Sequence, residues 1–249
     1  MMIRGEVLTL VRQRLLFWVL GVGAIVLLAP LFTLLVGAIN EASFESASTA
    51  IFGWYGSVPA LMLGVVYGAS AATADYGSGV IRDYALTGVA RWKIHASQLL
   101  AGLAVLNGLV LTGMAVSLAA AKVVATAPPD MYTSQVPLLR AALAVLVIGT
   151  VTVFVSHAVG SIVRSRGITI GIIAVYVVGI EQVLAMFFKG DRFALTHNVG
   201  SFLTDVLDQS AQSAPTAGSQ GATVAALVTL GWVVVLQAAA LARFRRADL

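Results

Sequence analysis

The chain has 249 residues, of which 59% are hydrophobic and 10% charged, with a net charge of +4 and a mean hydropathy of +0.95. A water-soluble domain needs about a quarter of its residues charged, so this composition excludes one and describes a polytopic membrane protein. The lack of cysteine excludes disulfides and thiolate metal sites, and the scattered basic residues form no stripe of the kind a nucleic-acid partner requires.

In chain order, residues 2–14 read as an amphipathic helix. Ile3, Val7, Leu8, Leu10 and Val11 share one broad face, Glu6, Thr9, Arg12 and Gln13 the other, and Arg4 and Arg14 sit on the flanks. Such a helix lies in the headgroup plane or leads straight into the first span. The first apolar run, 15–39, is too long for a cleavable signal and has no small-residue cleavage site after it. It is expected to span, with Pro30 as a kink. A connection with Asn40, Glu41 and Glu45 leads to a second span at about 51–73. Ala60, Gly64, Gly68 and Ala72 recur there every four residues, a small-residue stripe that admits a closely packed helix. The third span, about 98–121, repeats the spacing in Ala104, Gly108 and Thr112.

A loop with Pro128, Pro129 and Pro137 precedes the fourth span, about 138–162. Arg164 and Arg166 mark a tight basic turn into the fifth, about 168–188. Within the long polar segment 189–221, Val199, Phe202, Leu203, Val206 and Leu207 have the spacing of a short amphipathic helix resting on the bundle. The sixth span, about 222–242, gives way to Arg243, Arg245 and Arg246. Six spans place both termini on one side, and the basic residues decide which. Arg4, Arg12, Arg14, Arg82, Arg91, Lys93, Arg164, Arg166, Arg243, Arg245 and Arg246 fall on the side of the termini; Lys122, Arg140, Lys189 and Arg192 fall on the other. Eleven against four makes both termini cytoplasmic.

The stretch 75–98 holds too many charges for hydrocarbon, where each costs about 2.5–3.5 kcal/mol at mid-bilayer. It is therefore expected to join two spans on the cytoplasmic side. Gly77 and Gly79 loosen its start, and Asp75 or Ser78 suits the N-cap of a short helix. Val80, Ile81 and Tyr84 share one face of that helix, flanked by Arg82 and Asp83. Gly88 suits its end, and a second helix begins near Val89 with Trp92 at the interface. Such an element either receives a push from a partner or is an ordinary solvated loop.

Some chemistry is missing. A phosphate-binding loop ends in Gly-Lys-Ser/Thr, but Lys93, Lys122 and Lys189 follow Trp92, Ala121 and Phe188. If ATP is used, another chain binds it. No His-Glu-x-x-His zinc motif occurs. His157, near the cytoplasmic end of the fourth span, has no evident partner and reads as structural or interfacial. Glu181 lies about 20 Å along the fifth span by helical rise, with Gln182 beside it. It is either a buried functional acid or a headgroup-level residue at an early end of the span. Asn107, in mid third span, suits a helix–helix hydrogen bond better than a substrate contact. With Glu181 and Gln182 it completes the candidate polar residues of a substrate path.

The segment from Asp75 to Gln98 resembles the one that follows the second span in type-2 permeases of ATP-binding-cassette transporters. Asp75, Gly79, Val80-Ile81-Arg82, Gly88 and Arg91 match that family's pattern in order, and Phe244-Arg245-Arg246-Ala247-Asp248-Leu249 resembles its basic ending. The resemblance in plan covers the whole chain. Asp75 stands where Glu is commoner, and Gln98 or a neighbour replaces a Lys. The resemblance implies an all-α permease subunit with a coupling helix at 79–87, whose ATPase-coupling residues are Asp75, Gly79, Val80, Ile81, Arg82, Tyr84 and Arg91. It also implies pairing with a second permease copy or paralogue, and a cytoplasmic ATPase that carries the ATP and magnesium. This chain would bind no cofactor itself, lie in the cell membrane and serve export. Two other classes remain: an ion-coupled secondary transporter or channel, which needs several intramembrane ionisable groups, and a non-transporting scaffold.

Overall fold

The computed structural model describes residues 51, 52, 55, 59–78, 88–124, 138–180, 183, 198 and 222–246, and among them it is all-helical. The five α-helices of this part are α1 (Pro59–Ser78), α2 (Arg91–Val124), α3 (Leu138–Val163), α4 (Arg166–Val175) and α5 (Ala222–Arg246). A π-helical turn over Tyr176–Ile180 continues α4. Three helices are long and apolar enough to cross a membrane: Arg91–Val123, Ala141–Val163 and Thr223–Arg243, with hydropathies of 2.1, 2.2 and 2.2. Ala60–Ala74 and Arg166–Val175 are shorter apolar helices. The expected first span, the 2–14 helix, the helix at 199–207 and the coupling helix at 79–87 lie outside the described residues.

Helix α3 is the centre, in contact with each of the others. Its most extensive partner is α1, and the two run parallel. A Cβ at Gly64 would lie 2.8 Å from Thr152 Cβ, and one at Gly160 would lie 2.9 Å from Ala72 Cβ. Gly68 faces Ser156 and the Val153 carbonyl, 2.7 Å from where its Cβ would stand. The Ala60–Gly64–Gly68–Ala72 stripe thus does what its spacing predicts, and α3 meets it with Gly149, Thr152, Ser156 and Gly160. With both backbones this near, Ser156 Oγ donates across the seam to the Gly64 carbonyl at 3.0 Å.

Helix α2 runs antiparallel to both: Gly102 meets Ala71, and Leu106 meets Gly149. Tyr55 and Ser117 share a hydrogen bond of 3.1 Å at the far end. Around these contacts Tyr67, Leu106, Val145, Ile148 and Val153 form the buried core. The second small-residue stripe behaves differently from its expectation. Ala104, Gly108 and Thr112 are exposed, and no atom lies within 4 Å of a Cβ built at Gly108. Spacing alone allows close approach but does not say which face of a helix receives a neighbour.

Two chain reversals frame the bundle. Between α3 and α4 only Arg164 and Ser165 intervene, and Arg164 takes φ 60°. That left-handed conformation costs a residue with a side chain about 1–2 kcal/mol; here it allows Arg164 N–H to close on the Gly160 carbonyl at 2.7 Å. Between α1 and α2 the chain reverses within residues 79–90.

Candidate functional site

Of the residues singled out from sequence, Gly79, Val80, Ile81, Arg82, Tyr84, Glu181 and Gln182 lie outside the described residues. Asp75 is in the last turn of α1, which continues to Ser78. Asp75 and Ser78, expected as caps of a following helix, lie within the last turn of α1. The helical hydrogen bonds continue past the point where the sequence turns polar, because leaving the apolar run does not by itself break a helix. Gly88 has φ +71° and is exposed, with no atom within 4 Å of where a Cβ would stand. It holds the left-handed conformation that glycine adopts without steric cost. Arg91 is the first residue of α2, half-buried, and Lys93 N–H bonds the Ala90 carbonyl at 2.8 Å. Trp92 is exposed with the Lys93 ammonium 5.8 Å from its ring, an amphipathic pair suited to a headgroup layer.

Asn107 donates from Nδ2 to Thr150 Oγ1 at 3.3 Å. This is the helix–helix hydrogen bond expected of it, joining α2 to α3.

One cluster was not legible in the sequence. His95 of α2 and His157 of α3 meet edge to face, ring centroids 4.6 Å apart and planes at 69°. His157 is fully buried, and neither of its ring nitrogens has a hydrogen-bond partner among the described residues. His95 Nε2 lies 2.9 Å from Gln237 Oε1 of α5. Gln237 Nε2 in turn donates to the Phe154 carbonyl of α3 at 2.8 Å. A carbonyl only accepts, so the amide orientation is fixed and its oxygen faces His95. The His95 proton is then on Nε2, and the neutral ring carries its lone pair on Nδ1. One polar chain thus ties α2, α5 and α3 together. His157, expected to lack a partner, has one, because the antiparallel packing of α2 and α3 sets the two rings at one depth.

That depth is shared. By helical rise His95 is about 6 Å from Arg91, His157 about 10 Å from Arg164, and Gln237 about 9 Å from Arg243. The basic ends of α2, α3 and α5 therefore gather at one end of the bundle, one to two turns beyond the cluster, and Lys122 lies at the opposite end of α2.

An apolar groove of about 720 Å³ opens between α3, α4 and α5, lined by Val155, Val159, Ile172, Tyr176, Trp232 and Leu236 among others. The π-helical turn forms part of its wall, and Tyr176 meets Trp232 edge to face across 6.4 Å. Among the described residues no group of three His, Cys, Asp or Glu is placed to hold a metal ion.

Set against known protein families and curated proteins, the chain matches neither a family model nor a curated sequence.

Proposed function

We propose that the chain is the transmembrane permease subunit of an ATP-binding-cassette exporter of the type-2 kind, driven by a separate cytoplasmic ATPase. The observation that carries this reading is the connection between α1 and α2. Twelve residues, 79–90, join two antiparallel helices at the end of the bundle where the basic residues gather. They include the left-handed Gly88, three residues before Arg91, Trp92 and Lys93 begin α2. This is room for one short helix and no domain. Its predicted apolar face of Val80, Ile81 and Tyr84 is too small for a core but large enough to fill a cleft on a partner.

Under this reading the chain lies in the cell membrane with both termini and the connection cytoplasmic, in line with the eleven-to-four distribution of basic residues. ATP and magnesium bind the partner ATPase. Closure of two ATPases moves the connection of each of two permease copies, and α1 and α2 carry that displacement into the bundle. The unbroken length of α2, 34 residues, suits a rigid lever of about 50 Å. The test is isolation of the chain from its native membrane with an ATPase identified by its Gly-Lys-Ser/Thr loop. Tyr84→Ala and Ile81→Asp variants that insert normally are expected to lose that partner and to lose transport. Retention of both in both variants contradicts the proposal.

The paired histidines favour a second reading, an ion-coupled transporter, because they add buried ionisable groups where the sequence offered one acid. Transport that follows an imposed proton gradient without ATP would select it.

A further inference from the structure

Only three histidines occur in the chain, His95, His157 and His197, and two of them touch inside the bundle. Histidine is the side chain that changes charge between about pH 5 and 8 when unperturbed. The cluster binds α2, α3 and α5 together through the Gln237 amide and the edge-to-face contact of the rings. We infer that the His95–His157 contact is an acid-sensitive latch between α2 and α3, closed when both imidazoles are neutral and loosened by a proton. The inference is independent of the permease reading.

The surroundings decide what a proton would do. A second proton on His95 goes to Nδ1 and leaves the Nε2–H bond to Gln237 in place, so the α2–α5 link survives. The ring then meets His157 as a cation. A proton on His157 makes a cation with no acceptor among the described residues, against another imidazole at 4.6 Å. Relief would need a carboxylate, and no residue whose side chain is described is Asp or Glu. At the cluster's end of the bundle the basic residues are Arg91 and Lys93 on α2, Arg164 in the turn after α3, Arg166 on α4 and Arg243, Arg245 and Arg246 on α5, while Lys122 and Arg140 lie toward the other end. Helix α1 contributes Asp75, at its last turn, and the neutral Tyr67. Apart from Asp75, every charge placed at this end of the bundle opposes a second one at the cluster.

The seam at which the latch sits is the weaker one. Helices α2 and α3 meet less extensively than α1 and α3 do. Besides the rings, the Asn107–Thr150 bond of 3.3 Å crosses it. Loosening would act on α2, the helix into which the 79–90 connection feeds, and leave the glycine-packed α1–α3 pair intact. Two imidazoles and an amide already engaged at both ends make a poor metal site, since a structural zinc takes four ligands. A proton needs no such set and no cavity.

The test is the thermal stability of the purified full chain in detergent from about pH 8 to pH 5, the range of histidine titration. Wild type is expected to lose stability on acidification. His157→Phe keeps a ring at the contact without the titration, and should shrink that loss by at least about half, where His197→Phe should leave it unchanged. An equal loss in wild type and His157→Phe, or none in wild type, overturns the latch. If His157→Phe fails to fold, wild type carrying ring-labelled histidine is titrated by NMR. Coupled shifts of His95 and His157 within that range support the latch, and a response from His197 alone overturns it.

Discussion

On its α1 side α3 presents Thr152, Ser156 and Gly160; toward α2 and α5 it presents Thr150, the Phe154 carbonyl and His157, and Gly149 lies between Leu106 of α2 and Ala60 of α1. The first face has no ionisable group and lets two backbones approach until a hydroxyl crosses to a carbonyl. The second is joined by imidazole and amide side chains. In a bilayer, helix association rests on packing and on interhelical hydrogen bonds, since lipid removes the hydrophobic drive. The two faces use these separately. A seam of small residues has one good arrangement and resists change, and a seam of titratable groups has an energy that depends on its protons.

The comparison breaks most severely at Gly68. Gly68→Val is expected to cost about 3 kcal/mol or more, because its Cβ would lie 2.7 Å from the Val153 carbonyl, a backbone atom that cannot move aside alone. Loss of folded protein in detergent extracts measures it. Next is Gln237→Leu, which removes the bonds to His95 and to the Phe154 carbonyl and takes the acceptor from the His95 Nε2–H donor. Chemical denaturation in micelles should show a loss of about 1–3 kcal/mol, and the pH dependence of stability should persist, because the two rings remain. Ser156→Ala tests the small-residue seam with less disturbance. It deletes the bond to the Gly64 carbonyl and should cost about 0.6–1.7 kcal/mol by the same denaturation, the range of membrane helix–helix hydrogen bonds. Smallest is Gly108→Ala on the exposed face of α2, expected to change stability by less than about 0.5 kcal/mol. A large loss there would mean that the Ala104–Gly108–Thr112 stripe packs against another helix after all.

How much of this was legible in the sequence follows from the range of each signal. Apolar runs bounded by Arg91, Arg164 and Arg243 located α2, α3 and α5, because span length and terminal charge are local properties, whereas the run expected to span 168–188 is described as helix α4 only to Val175 and a π-helical turn to Ile180. The α1 stripe was legible because its four small residues repeat at a single spacing. Its counterpart on α3 was not singled out, because Thr152 and Ser156 mix hydroxyls into it and the step from Gly149 to Thr152 is three residues. A search for small residues of any polarity at three- and four-residue steps would have found it. The Ala104 stripe shows the converse, a sound local pattern without a described neighbour. The histidine cluster depends on three helices distant in sequence reaching one depth, which no local pattern encodes. The π-helical turn at Tyr176 also carried no signal beyond Gly179 and the β-branched residues around it.

The central claim is that the 79–90 connection delivers force from an ATPase, and the chain's lack of cysteine gives it a clean test. A Tyr84→Cys chain, treated in its native membrane with a short maleimide–benzophenone reagent and irradiated, is expected to form a one-to-one adduct with a subunit bearing the Gly-Lys-Ser/Thr loop. The adduct should form in inverted vesicles, where a membrane-impermeant maleimide should also reach the cysteine. Labelling by the impermeant reagent in right-side-out vesicles, with no adduct in either orientation, would contradict it.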